Sequence, residues 1–384
     1  MDYKERVSQE IHSNAACIKG LARQIGEHPE LGFAEYKSSA LLAQTLEGAG
    51  YEIEKPLAGL ETAFRATLGE GKPNIALLCE YDALPGIGHG CGHNLIGAAS
   101  VGAALGLARV IWEIGGQVTV IGAPGEETGG GKTILVQEGV FQGVDGAMMF
   151  HPSSENLLMS TTNALDAYEF VFTGRTAHAA GSPEQGINAL DGVIQLFNGI
   201  NALREHLKDT VRIHGIITEG GQAANIVPDR AVAQFYIRAP HRSELDMVTS
   251  KIFDAARGAA LMTGSQVSWR KFEHSNDNMI PNQVMASVFG ANLRALGVTD
   301  IEEFQEGKGS SDMGNVSHVV PAIHPYLSIG NNLVGHTTEF AEAALTEDAF
   351  QTALLAAEAL AHTAIDLLTD PALLGAVKSE YERL

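Results

Sequence analysis

The 384-residue sequence gathers its most reactive side chains in one stretch, Cys79 to Ile96, which reads CEYDALPGIGHGCGHNLI. Asp82, Cys91 and His93 offer carboxylate, thiolate and imidazole, the donors a borderline divalent metal such as zinc accepts. CGH sets thiolate and imidazole two residues apart, and Gly88, Gly90 and Gly92 let the loop fold around an ion. A competing reading makes Cys91 a small buried hydrophobe and His93 a core histidine, but so flexible a loop costs entropy unless something orders it. Further on, APGEETGGGK puts Glu126 beside Glu127 after an apolar run. Adjacent carboxylates repel unless a cation or a shared proton compensates, so one can ligate while its neighbour handles a proton. A helix N-terminus would favour the same acidic pair. His151 follows GAMMF, and His336 lies in GHTTEF.

These positions must be brought together by the elements that carry them. NIALL before the first stretch reads as a buried strand, and IGAASVGAALGLARVIW after it as a helix of small residues. QVTVIGAP reads as a strand before the Glu pair, KTILVQEGVF as a helix, and GAMMFHP as one further strand, with His151 after GAMMF. Residues 4–26 read as one amphipathic helix with Cys17 on its apolar face. The pattern is α/β with a mostly parallel sheet, and such sheets gather their strand ends at one edge, where ligands bind. Near Asp166 the pattern changes to βαββαβ, ending about Trp269. This divides the chain into a first domain at 1–166, an inserted smaller α+β domain at 167–275, and the rest of the first domain at 276–384.

A formal charge of -21 excludes the usual electrostatics of nucleic-acid binding and fits a self-repelling surface. Three cysteines, two of them inside the first stretch, are no disulfide framework and suit a reducing compartment. The N-terminal segment shows no signal-peptide pattern, and no run of about eighteen apolar residues stands out as a membrane span. The expectation is a cytoplasmic protein with neither nucleic-acid nor membrane partners.

Seven segments carry a family likeness: EYDALPGIGHGCGHN, APGEETGGGK, MMFHPS, FTGRTAHAA, RIHGIITEGGQAANIVPDRA, GSSDMGNVSHVVPAIHP and VGHTTEF. In order, and over nearly the whole chain, they resemble the metallopeptidase family of aminoacylase, carboxypeptidase G and plant auxin-conjugate hydrolases. The likeness is greatest to its p-aminobenzoyl-glutamate hydrolase and β-alanyl-lysine dipeptidase branch. The resemblance implies a zinc-exopeptidase-like catalytic domain with an inserted dimerisation or lid domain. It also implies a homodimer that hydrolyses the amide bond of an acyl amino acid, an aminobenzoyl-glutamate-like conjugate or a dipeptide.

Residue by residue, the resemblance makes Cys91, His93, Glu127, His151 and His336 ligands of one or two divalent ions per subunit, zinc or manganese, with cobalt a further candidate. Glu126 matches the general base and Asp82 the residue that orients a ligand. His178 in RTAHAA matches a histidine that reaches the partner's site to stabilise the oxyanion. Asn225 matches a neighbour of that site, and Arg238 a candidate for the substrate carboxylate, with a strand-end salt bridge as its other reading. Many family members carry a histidine ligand where this chain has Glu80. Two other functions remain open: a thiol amidohydrolase using Cys91 with His93, and an inactive metal-containing binding dimer.

Overall fold

A computed structural model describes residues 2–307 and 309–383. The chain forms two compact units: one runs to Thr161 and resumes at Met279, and the other is Thr162–Asn278.

The first unit is built on a six-stranded mixed sheet. Its strands β1 (Glu52–Glu54), β2 (Phe64–Glu70), β3 (Asn74–Cys79), β4 (Gly116–Gly122) and β5 (Gly146–Met148) lie in the order β1-β2-β4-β3-β5, with Ala322–Ile323 at the far edge. The pairs β1/β2 and β2/β4 are antiparallel, and β3, β4, β5 and Ala322–Ile323 run parallel. Every residue of β3 is buried, as a continuous aliphatic run in the middle of a parallel sheet requires. The helix His93–Ala108 starts one residue after the Gly-rich loop, and all but its last residue are buried. The parallel strands therefore deliver Cys79, Gly122 and Met148 towards one edge, each followed by a loop that carries candidate site residues.

GAMMFHP is not one strand. β5 stops at Met148 in the first sheet, and β6 (His151–Ser153) starts a separate four-stranded sheet, where it pairs in parallel with Tyr326–Ser328. β7 (Leu157–Ser160) and Glu302–Gln305 complete that sheet. The first helix is also divided: Tyr3–Ser13 and Ala15–Glu27 break at Asn14, whose side-chain amide bonds back to Glu10 O and Oε1. Such local side-chain bonding competes with helix continuation. The second of these helices buries Ile18, Leu21, Ala22 and Ile25, whereas Cys17 is exposed, so Cys17 does not belong to the apolar face.

Glu347–Thr369 is long and apolar enough, by length and composition, to cross a membrane, which the sequence reading overlooked. Within its most apolar window 78% of residues are buried inside the protein, and it packs along His93–Ala108 as a core helix.

The second unit is a four-stranded antiparallel sheet, with β8 (Ala164–Thr173), β9 (Arg212–Glu219), β10 (Arg230–Ala239) and β11 (Gln266–Lys271) in the order β11-β8-β10-β9. The helices Ala189–Arg204 and Arg242–Thr263 complete the βαββαβ order. Its separate core gathers Phe170, Phe172, Val193, Leu196, Phe235 and Ile252. Asn188 caps the first helix by accepting the backbone N–H groups of Leu190 and Asp191.

Candidate metal centre and active site

Two glycine-dependent turns and one left-handed histidine shape the first unit's candidate site. Gly92 (φ 74°) precedes His93 as the helix N-cap, and Gly125 (φ 67°) plays the same part before Glu126 and Glu127. Both backbones lie in the left-handed region that only glycine adopts freely. His336 is also left-handed (φ 65°) without being glycine, and its N–H donates to Gly90 O at 2.8 Å, tying the late loop to the early one. Non-glycine residues in this region persist where the surroundings over-determine them.

Side-chain atoms converge from all these segments. Donor atoms of Cys91, His93 and His151 lie within 4.8 Å of one another, as do those of Cys91, Glu127 and His336, and those of His93, Glu126 and Glu127. Cys91 Sγ is 3.4 Å from His151 Nε2, and His336 Nε2 is 3.5 Å from Glu127 Oε2. The histidine tautomers are set from behind. His93 Nδ1 donates to Asp82 Oδ1 at 2.9 Å and His151 Nδ1 to Pro152 O at 2.8 Å, which leaves each Nε2 lone pair facing the cluster. The other Asp82 oxygen accepts the Glu127 N–H at 3.0 Å, so one buried carboxylate fixes an imidazole and the Glu pair together.

The residues fit a divalent metal. His93 Nε2 and Glu127 Oε1 are buried without a hydrogen-bond partner among the described residues, although Glu80 Oε2 stands 3.3 Å from that nitrogen. Burial opposes a charged His93, but Asp82 and Glu80 outweigh it and hold the imidazole well above its ordinary pKa. The pocket thus favours a positive charge at this nitrogen. Burial also pushes the Cys91 thiol up to about 12, the reverse of an activated nucleophile; its thiolate needs a cation beside it. Burial, then the carboxylates of Asp312 and Glu80, raises Glu126 well above the usual carboxylate range.

Several participants carried no role in the sequence reading. Lys132 is fully buried; its ammonium sits 2.5 Å from Glu80 Oε1 and bonds Asp312 Oδ1, while its backbone N–H donates to Asp312 Oδ2 at 2.8 Å. Burial opposes the charge, but Asp312 and Glu80 outweigh it and keep Lys132 an ammonium. Burial likewise opposes ionised Glu80, yet Lys132 leads the groups that hold it down, at about 2. A lysine opening the apolar run KTILV was the one signal available. His324 packs edge-on against His151 with ring centroids 5.4 Å apart, and its buried Nε2 has no hydrogen-bond partner among the described residues. His89 is buried with neither ring nitrogen hydrogen-bonded among the described residues.

In the second unit, His178 and Asn225 are exposed and adjacent: His178 bridges Ile226, and Ala179 N–H donates to Asn225 O at 3.0 Å. His178 Nδ1 accepts from the N–H groups of Ala180 (3.2 Å) and Gly181 (3.0 Å), so a neutral ring carries its proton on Nε2. Arg238 is half-buried on β10, opposite Leu165 and Arg212.

Fold and site together define a metal-dependent hydrolase with a separately folded second domain. The profile of the peptidase dimerisation domain matches residues 162–262. The Xaa-Arg dipeptidase of Mus musculus is 39% identical over 397 residues, covering 99% of this chain and 92% of the relative. A subunit of the p-aminobenzoyl-glutamate hydrolase of Escherichia coli is 32% identical over 457 residues, covering 98% and 94%. A dinuclear metal-binding peptidase of the M20 family from Bacillus subtilis superposes with a TM-score of 0.70 at 20% identity, covering 92% of this chain and 99% of that one. The chain belongs to the M20 peptidase family, and it is a metal-dependent amidohydrolase. The family resemblance, the α/β fold and the reaction class read from sequence are borne out.

Proposed function

We propose that the protein hydrolyses the amide bond of a dipeptide or N-acyl amino acid, with Cys91, His93, Glu127, His151 and His336 holding two divalent ions, zinc or manganese. The observation that carries this reading is the overlap of two donor groups at Cys91, one with His93 and His151 and the other with Glu127 and His336. When bound, the metal polarises the scissile carbonyl and lowers the pKa of water. Glu126 accepts the water proton and delivers it to the leaving amine nitrogen. Asp82 keeps His93 in the tautomer that ligates and keeps the Glu126–Glu127 turn in register. His178 offers its Nε2–H to the developing oxyanion in a partner subunit, Asn225 supports it, and Arg238 receives the substrate carboxylate.

Supporting a homodimer are the dimerisation-domain match and the open edge strand β9, where Ile216 and Ile217 are exposed. Free Cys17, Cys79 and Cys91 support a cytoplasmic location. The two named relatives suggest dipeptides ending in arginine and p-aminobenzoyl-glutamate as the first substrates to assay, with zinc, manganese or cobalt. Glu126→Gln is expected to keep its metal by elemental analysis and to lose at least about 1,000-fold in kcat, within the span of general-base and electrostatic contributions. Retained turnover, or turnover that survives full chelation, overturns the reading.

A further inference from the structure

Residues Glu30 to Glu35 form no regular element, yet they touch both loops that carry the site. Ala83 N–H, next to Asp82, donates to Glu30 O at 2.8 Å, and Leu31 bridges Ala83 in parallel. On the other side, the buried carboxylate of Glu35 accepts the Gly125 N–H at 2.8 Å through Oε1 and the Thr62 hydroxyl at 2.9 Å through Oε2. Gly125 immediately precedes Glu126. Phe33 is held left-handed (φ 63°), and a Cβ on Gly125 would come within 2.8 Å of its ring; Gly129 lies against the same ring. Gly32 packs so closely on the turn that its own Cβ would fall 2.9 Å from Gly125 Cα.

The helix start does not account for Glu35. Glu35 occupies the N-cap position of Tyr36–Gly48, but its side chain makes no capping bond; Glu30 does that work, accepting the N–H groups of Lys37 (3.1 Å) and Ser38 (2.8 Å). A buried acid is costly where an apolar residue would pack, and a bulky left-handed residue is strained. Both costs fall on the segment spanning the Asp82 loop and the Glu126 turn.

We propose that Glu30–Glu35 is a strap that registers the two catalytic loops, with Glu35 and Phe33 as positioning residues that fix the turn carrying Glu126 and Glu127. The proposal rests on Glu126 being the base. It predicts that Glu35→Leu frees the Gly125 amide and lets the turn wander, while Glu35→Gln keeps a carbonyl acceptor for it. Displacements of about 1 Å cost up to about 100-fold in rate.

The test compares Glu35→Leu, Glu35→Gln and Phe33→Gly in the full chain. Hydrogen exchange in peptides spanning residues 124–131 is expected to rise at least tenfold in Glu35→Leu and Phe33→Gly, with the β4 peptide unchanged. On a substrate from the panel above, kcat should fall about 10- to 100-fold with KM and zinc content within about twofold, and Glu35→Gln should restore both readouts. Unchanged exchange at 124–131 in folded Glu35→Leu or Phe33→Gly overturns the strap, as does a kcat loss that only tracks lost zinc. If Glu35→Leu does not fold, Phe33→Gly and Glu35→Gln decide alone. An inactive Glu126→Gln beside a fully active, tightly folded Glu35→Leu sinks the strap and leaves the base; an active Glu126→Gln sinks the base instead.

Discussion

Apart from His336, which is exposed, and Arg238, which is half-buried, the candidate residues of the two units are held in opposite ways. In the first unit Asp82, His93, Lys132 and Asp312 are buried, and each is fixed by charged or backbone partners. In the second, His178 and Asn225 are exposed; N–H groups of its own turn hold the His178 ring, and the Ala179 N–H bonds the Asn225 carbonyl. Buried charge must be paired where it stands, so its geometry is over-determined within one unit. Exposed polar groups carry no such demand; their chemistry depends on what meets them.

That contrast breaks most sharply at Lys132. Lys132→Met leaves Glu80 and Asp312 buried without their cation and is expected to cost about 3–5 kcal/mol in denaturant melts. A loss under about 1 kcal/mol would mean that the acids relax to solvent.

Next comes Glu35. Burial raises its carboxyl from the ordinary 4.5 to about 7. The folded state therefore holds a proton that the unfolded chain has released, and the stability this contributes is full below pH 4.5 and lost as pH rises through 7. The span is about 3 kcal/mol. Melts of Glu35→Gln between pH 5 and 8 should lack that decline relative to the parent; parallel profiles would show that the carboxyl is solvated.

Asp82→Asn is expected to weaken zinc binding about 10- to 100-fold in equilibrium dialysis, since it loses the carboxylate behind His93. His178→Ala should leave zinc affinity unchanged, and a comparable loss there would erase the distinction between the units. The smallest effect belongs to the exposed Arg230–Glu219 pair of the second unit, where Arg230→Ala should change stability by less than about 1 kcal/mol.

How legible this was varied with the kind of signal. The aliphatic run of β3 announced its burial, because a continuous apolar strand is written locally. The break at Asn14 and the passage from β5 to β6 were not legible, since a side-chain bond to the preceding turn and a change of sheet leave the hydrophobic pattern continuous. Lys132 opens the run KTILVQEGVF, which reads only as a helix. Only folding brings Glu80 from the end of β3 and Asp312, 180 residues downstream, to its ammonium.

By itself the sequence determined the donor types, their place after buried strands, the insertion of a βαββαβ unit and the family. Those properties follow from residue chemistry and local period. The tertiary structure alone decided which ring nitrogen faces the cluster, that Cys91 belongs to two donor groups at once, and that Glu35 holds the turn before Glu126. Each depends on distances between segments far apart in the chain, and packing rather than local spacing sets those distances.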